Sequence, residues 1–208
     1  MSTPLAVPNV LHDKRFAVVD VEGNGQNPPE IIEFGLLTVD GPTYQADAVR
    51  SWLIRPQQPI TSIVTRKVHG IRNDDVAGAP VWNEVAPEIG IAIDGRILVA
   101  HSAKVEQSVV GQHLPEWTPP LILDTLRFAK QVWPGLGGYS LDKLIVHGGL
   151  DTSAVKGQGY HRAAYDTWAA WLLLCRLTVE SGLDWPGVIN AAALPEFIPD
   201  PEPEGGLW

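Results

Sequence analysis

The sequence predicts an α/β protein built on a mixed β-sheet of about five strands, three antiparallel and then parallel ones, flanked by helices on both faces. Two observations carry this expectation. Three apolar runs within the first 54 residues are separated only by short polar turns, the pattern of an antiparallel meander. From residue 61 onward, helical patterns alternate with two compact apolar strands, the pattern of crossover connections.

Taken in order, residues 1–13 read as a lead-in, and Phe16–Asp20 (FAVVD) as a short buried strand. Glu30–Val39 and Val49–Ile54 read as the second and third strands, with Asp40-Gly41 as a turn. Thr61–Val68 reads as a short helix stopped by His69-Gly70, and Val81–Ala92 as a longer one behind Pro80. Arg96–Ala100 is the fourth strand, Ala103–Gln112 a helix and Leu121–Leu123 the fifth strand. Asp124 caps a helix that runs to Val132 before Pro134-Gly135, and Ser140 caps the next. The longest helical pattern spans about Ala163–Ser181. No internal repeat is present. The expected organisation is a lead-in (1–13), one domain (14–182) and an acidic proline-rich tail (183–208), whose end from Leu194 should lack regular structure.

Composition narrows the class. Hydrophobic residues make up 45% of the 208 positions, enough for one sizeable core, and charged residues are only 19%. No basic segment precedes an apolar run at the N-terminus, so no signal peptide is expected. The longest apolar stretch on a helix, Trp168–Cys175, is too short to span a bilayer. The single cysteine, Cys175, excludes an internal disulfide and reads as a core thiol. A cytoplasmic protein with no membrane partner is expected. The net charge of −9 argues against tight sliding along a duplex. However, no Lys or Arg follows Arg176, whereas Glu180, Asp184, Glu196, Asp200, Glu202 and Glu204 do. The remaining body is close enough to neutral to bind a strand end.

Three segments carry chemistry. In Asp20-Val21-Glu22, strand alternation points both carboxylates to one side, where they repel each other unless a cation lies between them. Oxygen-only sites of this kind suit Mg²⁺ or Mn²⁺. Gly23-Asn24-Gly25 then lets the backbone turn sharply and approach a ligand. Five residues separate His161 from Asp166, about 140° off a shared helical face. The pair therefore makes chemical sense if His161 lies in the lead-in and Asp166 in the opening turns of the helix. Histidine there suits a general base, and Asp166 a third metal ligand. Glu106, just inside the helix that follows Arg96–Ala100, would point a fourth acid back toward the strand ends. Taken singly, these segments also read as solvated acids and a surface histidine.

Together they resemble the DEDDh family of 3′–5′ exonucleases, which includes the proofreading subunit of bacterial DNA polymerase III, RNase T and oligoribonuclease. The resemblance runs from about Phe16 to Leu174. It rests on VVDVEGNG, ITSIVTRKVHGI, LVAHSAKVEQSVV, LDTLRFAK, YSLDKLIVHGG and HRAAYD, in that order. It implies a ribonuclease-H-like fold, with Asp20, Glu22, Glu106 and Asp166 as ligands of two Mg²⁺ or Mn²⁺ ions and His161 as general base. It further implies two-metal hydrolysis at the 3′ end of single-stranded DNA or RNA, releasing nucleoside 5′-monophosphates. Gly23, Asn24, Val68 and His69 match segments near the terminal nucleotide. The sequence departs from the family in its second motif, where Glu106 replaces an aspartate and Ser102 and Val105 replace an asparagine and an aromatic. Two other functions fit the same features: a nucleic-acid-binding module whose turnover the altered motif has reduced, and a proofreading subunit that binds a polymerase or another replication partner.

Overall fold

A computed structural model gives the fold of residues 4–155 and 159–198. β1 (Leu5–Ala6) leads through a 3₁₀ turn at Asn9–Leu11 into β2 (Arg15–Gly23), β3 (Ile31–Asp40), β4 (Thr43–Tyr44) and β5 (Arg50–Leu53). Next come α1 (Ser62–Lys67), α2 (Asn73–Val76), α3 (Trp82–Ile93), β6 (Ile97–Ala100) and α4 (Lys104–His113). β7 (Ile122–Asp124), α5 (Thr125–Val132), α6 (Leu141–Gly148), α7 (Ala163–Ser181) and α8 (Trp185–Ala192) complete it.

The main sheet has the order β5-β3-β2-β6-β7. β2 pairs antiparallel with β3, and β3 with β5; β2 pairs parallel with β6, and β6 with β7. This is the mixed five-stranded sheet expected from the sequence. Because β2, β6 and β7 run parallel, their carboxyl ends lie along one edge, where open α/β sheets place their ligands.

Strand alternation sorts the core into two layers. Phe16 and Val18 of β2 pack with Trp168 and Trp171 of α7, and with Phe128 of α5. Ala17 and Val19 face the other way, toward Ile89 and Ile93 of α3 and Val110 of α4. The same parity carries Asp20 and Glu22 onto the α7 side of the sheet. Gly35, the cross-strand partner of Asp20, permits α7 to lie against β3. A Cβ at Gly35 would collide with the Ala163 backbone and with Thr167 Oγ1.

The structure differs from the sequence expectation at both ends of the chain. The lead-in is folded from Leu5: β1 pairs with β4, and Val7 and Leu11 are buried in the core. The stretch from 183 is at first not a tail. Asp184 caps α8 through a 3.0 Å bond from the Gly187 amide, and Val188 and Ala192 are fully buried. Beyond α8, Leu194 N–H donates to Ile122 O (3.1 Å), so the chain also covers the edge of β7. Residues 199–208 of the expected tail lie outside the described residues. Among the described residues, no helix is long and apolar enough to cross a membrane.

Candidate active site

The carboxyl end of β2 delivers Asp20 and Glu22, the first turn of α4 delivers Glu106, and the first turn of α7 delivers Asp166. His161 sits two residues before α7, outside the helix, as its spacing from Asp166 requires. Its φ of +61° is left-handed, a conformation that costs energy for a non-glycine residue and tends to persist where the surroundings hold it. Here its backbone N–H donates to Asp166 Oδ2 at 2.8 Å. One potential ligand atom from each of Glu22, His161 and Asp166 lies within 4.8 Å of the others.

Electrostatics tie Asp20 and Glu106 to the same cluster. Burial, followed by the charges of Asp166, Glu106, Glu22 and Glu33, pushes the Asp20 carboxyl well above the usual range. Burial pushes Glu22 up to about 8, with Asp166 and Glu33 adding to it, and Arg162 opposing. Burial likewise raises Glu106 to about 8 and Asp166 to about 7. In Asp166 the bond from the His161 backbone opposes the rise. Asp20 Oδ2 and Glu106 Oε2 are buried and accept no hydrogen bond. Buried carboxylate oxygens without donors are costly, and a divalent cation bound by oxygen ligands would remove that cost. The donor set therefore fits Mg²⁺ or Mn²⁺. Glu106, one methylene longer than aspartate, is close enough for its charge to act on Asp20.

A fifth carboxylate, Glu33, supports this arrangement and is not among the residues singled out from the sequence. Glu33 on β3 lies directly opposite Glu22 on β2 and is fully buried. It accepts two 2.9 Å hydrogen bonds from the Arg162 guanidinium, one of 3.1 Å from the Ala163 amide and one of 3.3 Å from Ser51 Oγ. Glu33 thus holds the residue that caps α7 and anchors the start of that helix. Its signal in the sequence is an acid inside the apolar run Ile31–Val39, where a buried charge demands a partner.

The remaining candidates organise the wall of the site. His69 is buried. Its Nδ1 accepts from the Ile71 amide (3.0 Å), which leaves Nε2–H to donate to Gly23 O (3.3 Å), and burial lowers its pKa. The ring thereby fixes the backbone just beyond Glu22. Asn24 is fully buried, and its amide group bonds the backbone N–H of Gln26 and Glu30, Glu30 Oε1 and Gln58 O. It therefore has no polar atom left for a substrate and instead braces the loop. Gly23 offers a partly exposed backbone, and Val68, at the end of α1, is 42% exposed. Asp124 caps α5 by accepting from the Leu126 amide (2.9 Å). The same oxygen accepts from the Ser102 amide (2.9 Å), holding Ser102 at φ +67° ahead of α4. His101 is likewise structural, between Thr125 Oγ1 and Tyr139 O at 3.0 Å each.

A cluster of buried carboxylates with an adjacent histidine at the carboxyl edge of a mixed sheet is an arrangement that could hold divalent cations. The exonuclease family model, of the RNase T type, matches residues 17–174, and the chain belongs to that family of 3′–5′ exonucleases. It is 28% identical over 162 residues to the DNA polymerase III subunit epsilon of Aquifex aeolicus, covering 75% of this chain and 76% of that protein. It is 31% identical over 156 residues to the DNA polymerase III PolC-type of Caldanaerobacter subterraneus subsp. tengcongensis, covering 73% of this chain but 11% of that much longer protein. Among solved structures, exonuclease X in complex with 5′ overhanging duplex DNA superposes with a TM-score of 0.68 at 27% identity, covering 85% of this chain and 98% of that one. The ribonuclease-H-like fold expected from the resemblance is the fold observed.

Proposed function

We propose that the chain removes nucleotides from the 3′ end of single-stranded nucleic acid, with two divalent ions held by Asp20, Glu22, Glu106 and Asp166 and with His161 as general base. The observation that carries this reading is the group of Glu22, Asp166 and the exposed His161 imidazole, with Asp20 and Glu106 electrostatically tied to it and carrying orphaned buried oxygens. Such ions, when bound, lower the pKa of water and stabilise charge on the phosphate and on the leaving 3′ oxygen. The chain's own residues supply the rest. His161 accepts the proton that water loses as its oxygen bonds to phosphorus and the bond to the 3′ oxygen breaks, giving a nucleoside 5′-monophosphate. The His161 amide bond to Asp166 couples the position of the base to that of a ligand. Val68 and the Gly23 backbone form the wall against which the terminal nucleotide would rest. Chromatography of the products released from an unlabelled strand after Mg²⁺ or Mn²⁺ addition tests this. Nucleoside 5′-monophosphates are expected, and 3′-monophosphates or longer fragments would contradict it.

A second reading, carried by the similarity to polymerase III epsilon subunits, is that the domain works beside a polymerase in the cytoplasm. Co-purification with a replicative polymerase would support it.

A further inference from the structure

The chain carries a net charge of −9 and yet, on the reading above, must hold a polyanion. Seven of its fifteen arginines and lysines are already committed: Lys14, Arg15, Arg50, Arg72, Arg96, Arg162 and Arg176 all stand in ion pairs. Among the described residues Arg55, Arg66, Lys67, Lys104, Arg127, Lys130 and Lys143 form no ion pair, and three of these, Lys104, Arg127 and Lys130, line one groove of about 440 Å³ between the start of α4, α5 and α8. Arg127 is half-buried there, and its Nε is buried with no hydrogen-bond partner. Lys130 lies 5.9 Å from the Tyr139 ring, which leaves its ammonium free to bind an anion. Among the described residues, the one carboxylate in the groove wall is Asp124, whose Oδ1 accepts from the Ser102 and Leu126 amides. Asn190 of α8 adds a neutral polar group.

Asp124 links the groove to the carboxylate cluster: it lines the groove, and its charge helps raise the Glu106 carboxyl. Lys104 and Glu106 both stand in the first turn of α4, two residues apart and so on different faces of it. Asp124 ends β7, two strands from β2 along the same carboxyl edge, about 10 Å at the usual strand spacing. A strand whose 3′ end lies among Asp20, Glu22 and Asp166 needs positive charge at this range for its next phosphates. Phosphate backbones are held by Lys and Arg in this manner, without regard to sequence.

We propose that the groove of Lys104, Arg127 and Lys130 binds backbone phosphates of the nucleic-acid strand upstream of its 3′ end. This rests on the exonuclease reading and adds to it a track separate from the reacting centre. The groove gives the enzyme grip on strands longer than the few nucleotides that fill the centre, and it makes that grip salt-dependent.

The test is binding of a 5′-fluorescein dodecathymidylate by the full chain in EDTA, where nothing is hydrolysed, followed by anisotropy at several salt concentrations. The variants are Lys104→Gln/Lys130→Gln, which changes exposed residues only, and the triple variant with Arg127→Gln. Each lost contact should reduce the slope of log affinity against log salt by about 0.7, so by about 1.4 and 2.1. Affinity at low salt should fall by roughly 10–100-fold. Hexaglutamate should compete poorly with the strand. Unchanged slopes in the folded double variant would overturn the groove and leave the exonuclease reading intact. Competition by hexaglutamate as strong as by an unlabelled strand would also overturn it, in favour of an acidic protein partner. Failure of the parent chain to bind or degrade any strand would overturn both.

Discussion

Arg162 grips Glu33 through two parallel hydrogen bonds of 2.9 Å, and this contact fixes the start of α7 against β3. The fork geometry is the strong form of a guanidinium–carboxylate pair, and the Glu33 carboxylate is fully buried. Arg162→Ala would leave that charge unpaired and should cost about 3 kcal/mol, the low end for breaking a buried pair, since Arg162 itself is partly exposed. Adding Glu33→Gln should recover part of the loss. Urea unfolding of the two single variants and the double checks this through the coupling energy, which should exceed about 0.5 kcal/mol; strict additivity would mean the pair contributes nothing.

At Gly35 the same junction has no spare room. Gly35→Ala drives a methyl into the Ala163 backbone and Thr167 Oγ1. Overpacking of this kind should cost about 1–3 kcal/mol and displace the segment carrying His161 and Asp166. Exonuclease kcat should drop tenfold or more, since catalysis depends steeply on alignment. Wild-type kcat with an unchanged melting temperature would show that α7 does not rest on this strand.

Without metal, the acidic cluster should make stability fall as pH rises. Glu22 and Glu106 at about 8 and Asp166 at about 7 hold their protons more tightly in the folded chain than in the unfolded one, where ordinary values are 4.5 and 3.8. The folded state therefore binds more protons between about pH 4 and 8, so stability declines across that window as pH increases. Divalent metal should reverse the trend. At 100 times Kd, one bound ion adds about 2.7 kcal/mol, or roughly 5–10 °C in Tm for a domain of this size. Thermal melts at pH 5 and pH 8 with EDTA, Mg²⁺ or Mn²⁺ check the sign; an equal Mn²⁺ effect at both values would argue against a carboxylate site.

Glu106 tests whether the altered second motif still serves the site. Its Oε2 is buried, unpartnered and electrostatically coupled to Asp20. Glu106→Gln keeps the shape but removes the charge, and should reduce metal-dependent activity at least 100-fold, the upper end of what losing a mere supporting residue costs. Glu106→Asp should also lose activity, because the shorter side chain draws the carboxylate one methylene back toward α4. A gain on Glu106→Asp would show instead that glutamate impairs the enzyme.

The sheet, and where it puts most of the candidate site residues, were legible in the sequence because their signals are local. Alternation in Phe16–Glu22 sorted two core layers and put both acids on one side, and five-residue spacing placed His161 ahead of the helix and Asp166 within it. What escaped depends on distant partners. Two-residue strands such as β1 and β4 have no periodicity to detect. α8 begins Trp185-Pro186-Gly187 and precedes further prolines, so it read as tail, although Pro186 lies in its first turn, where it is well tolerated. Glu33 looked like one residue of an apolar strand until Arg162, 129 positions later, was seen to meet it. Asn24 and His69 drew attention as neighbours of a nucleotide, whereas their hydrogen bonds run back into the protein.

The most direct test of the account is digestion of a 5′-labelled single strand, as DNA and as RNA, with Mg²⁺ or Mn²⁺, beside an Asp20→Ala control. A ladder shortening from the 3′ end, requiring metal and absent from the control, is expected. A folded parent chain that leaves both strands intact with either metal, or a ladder that persists in Asp20→Ala, would contradict it.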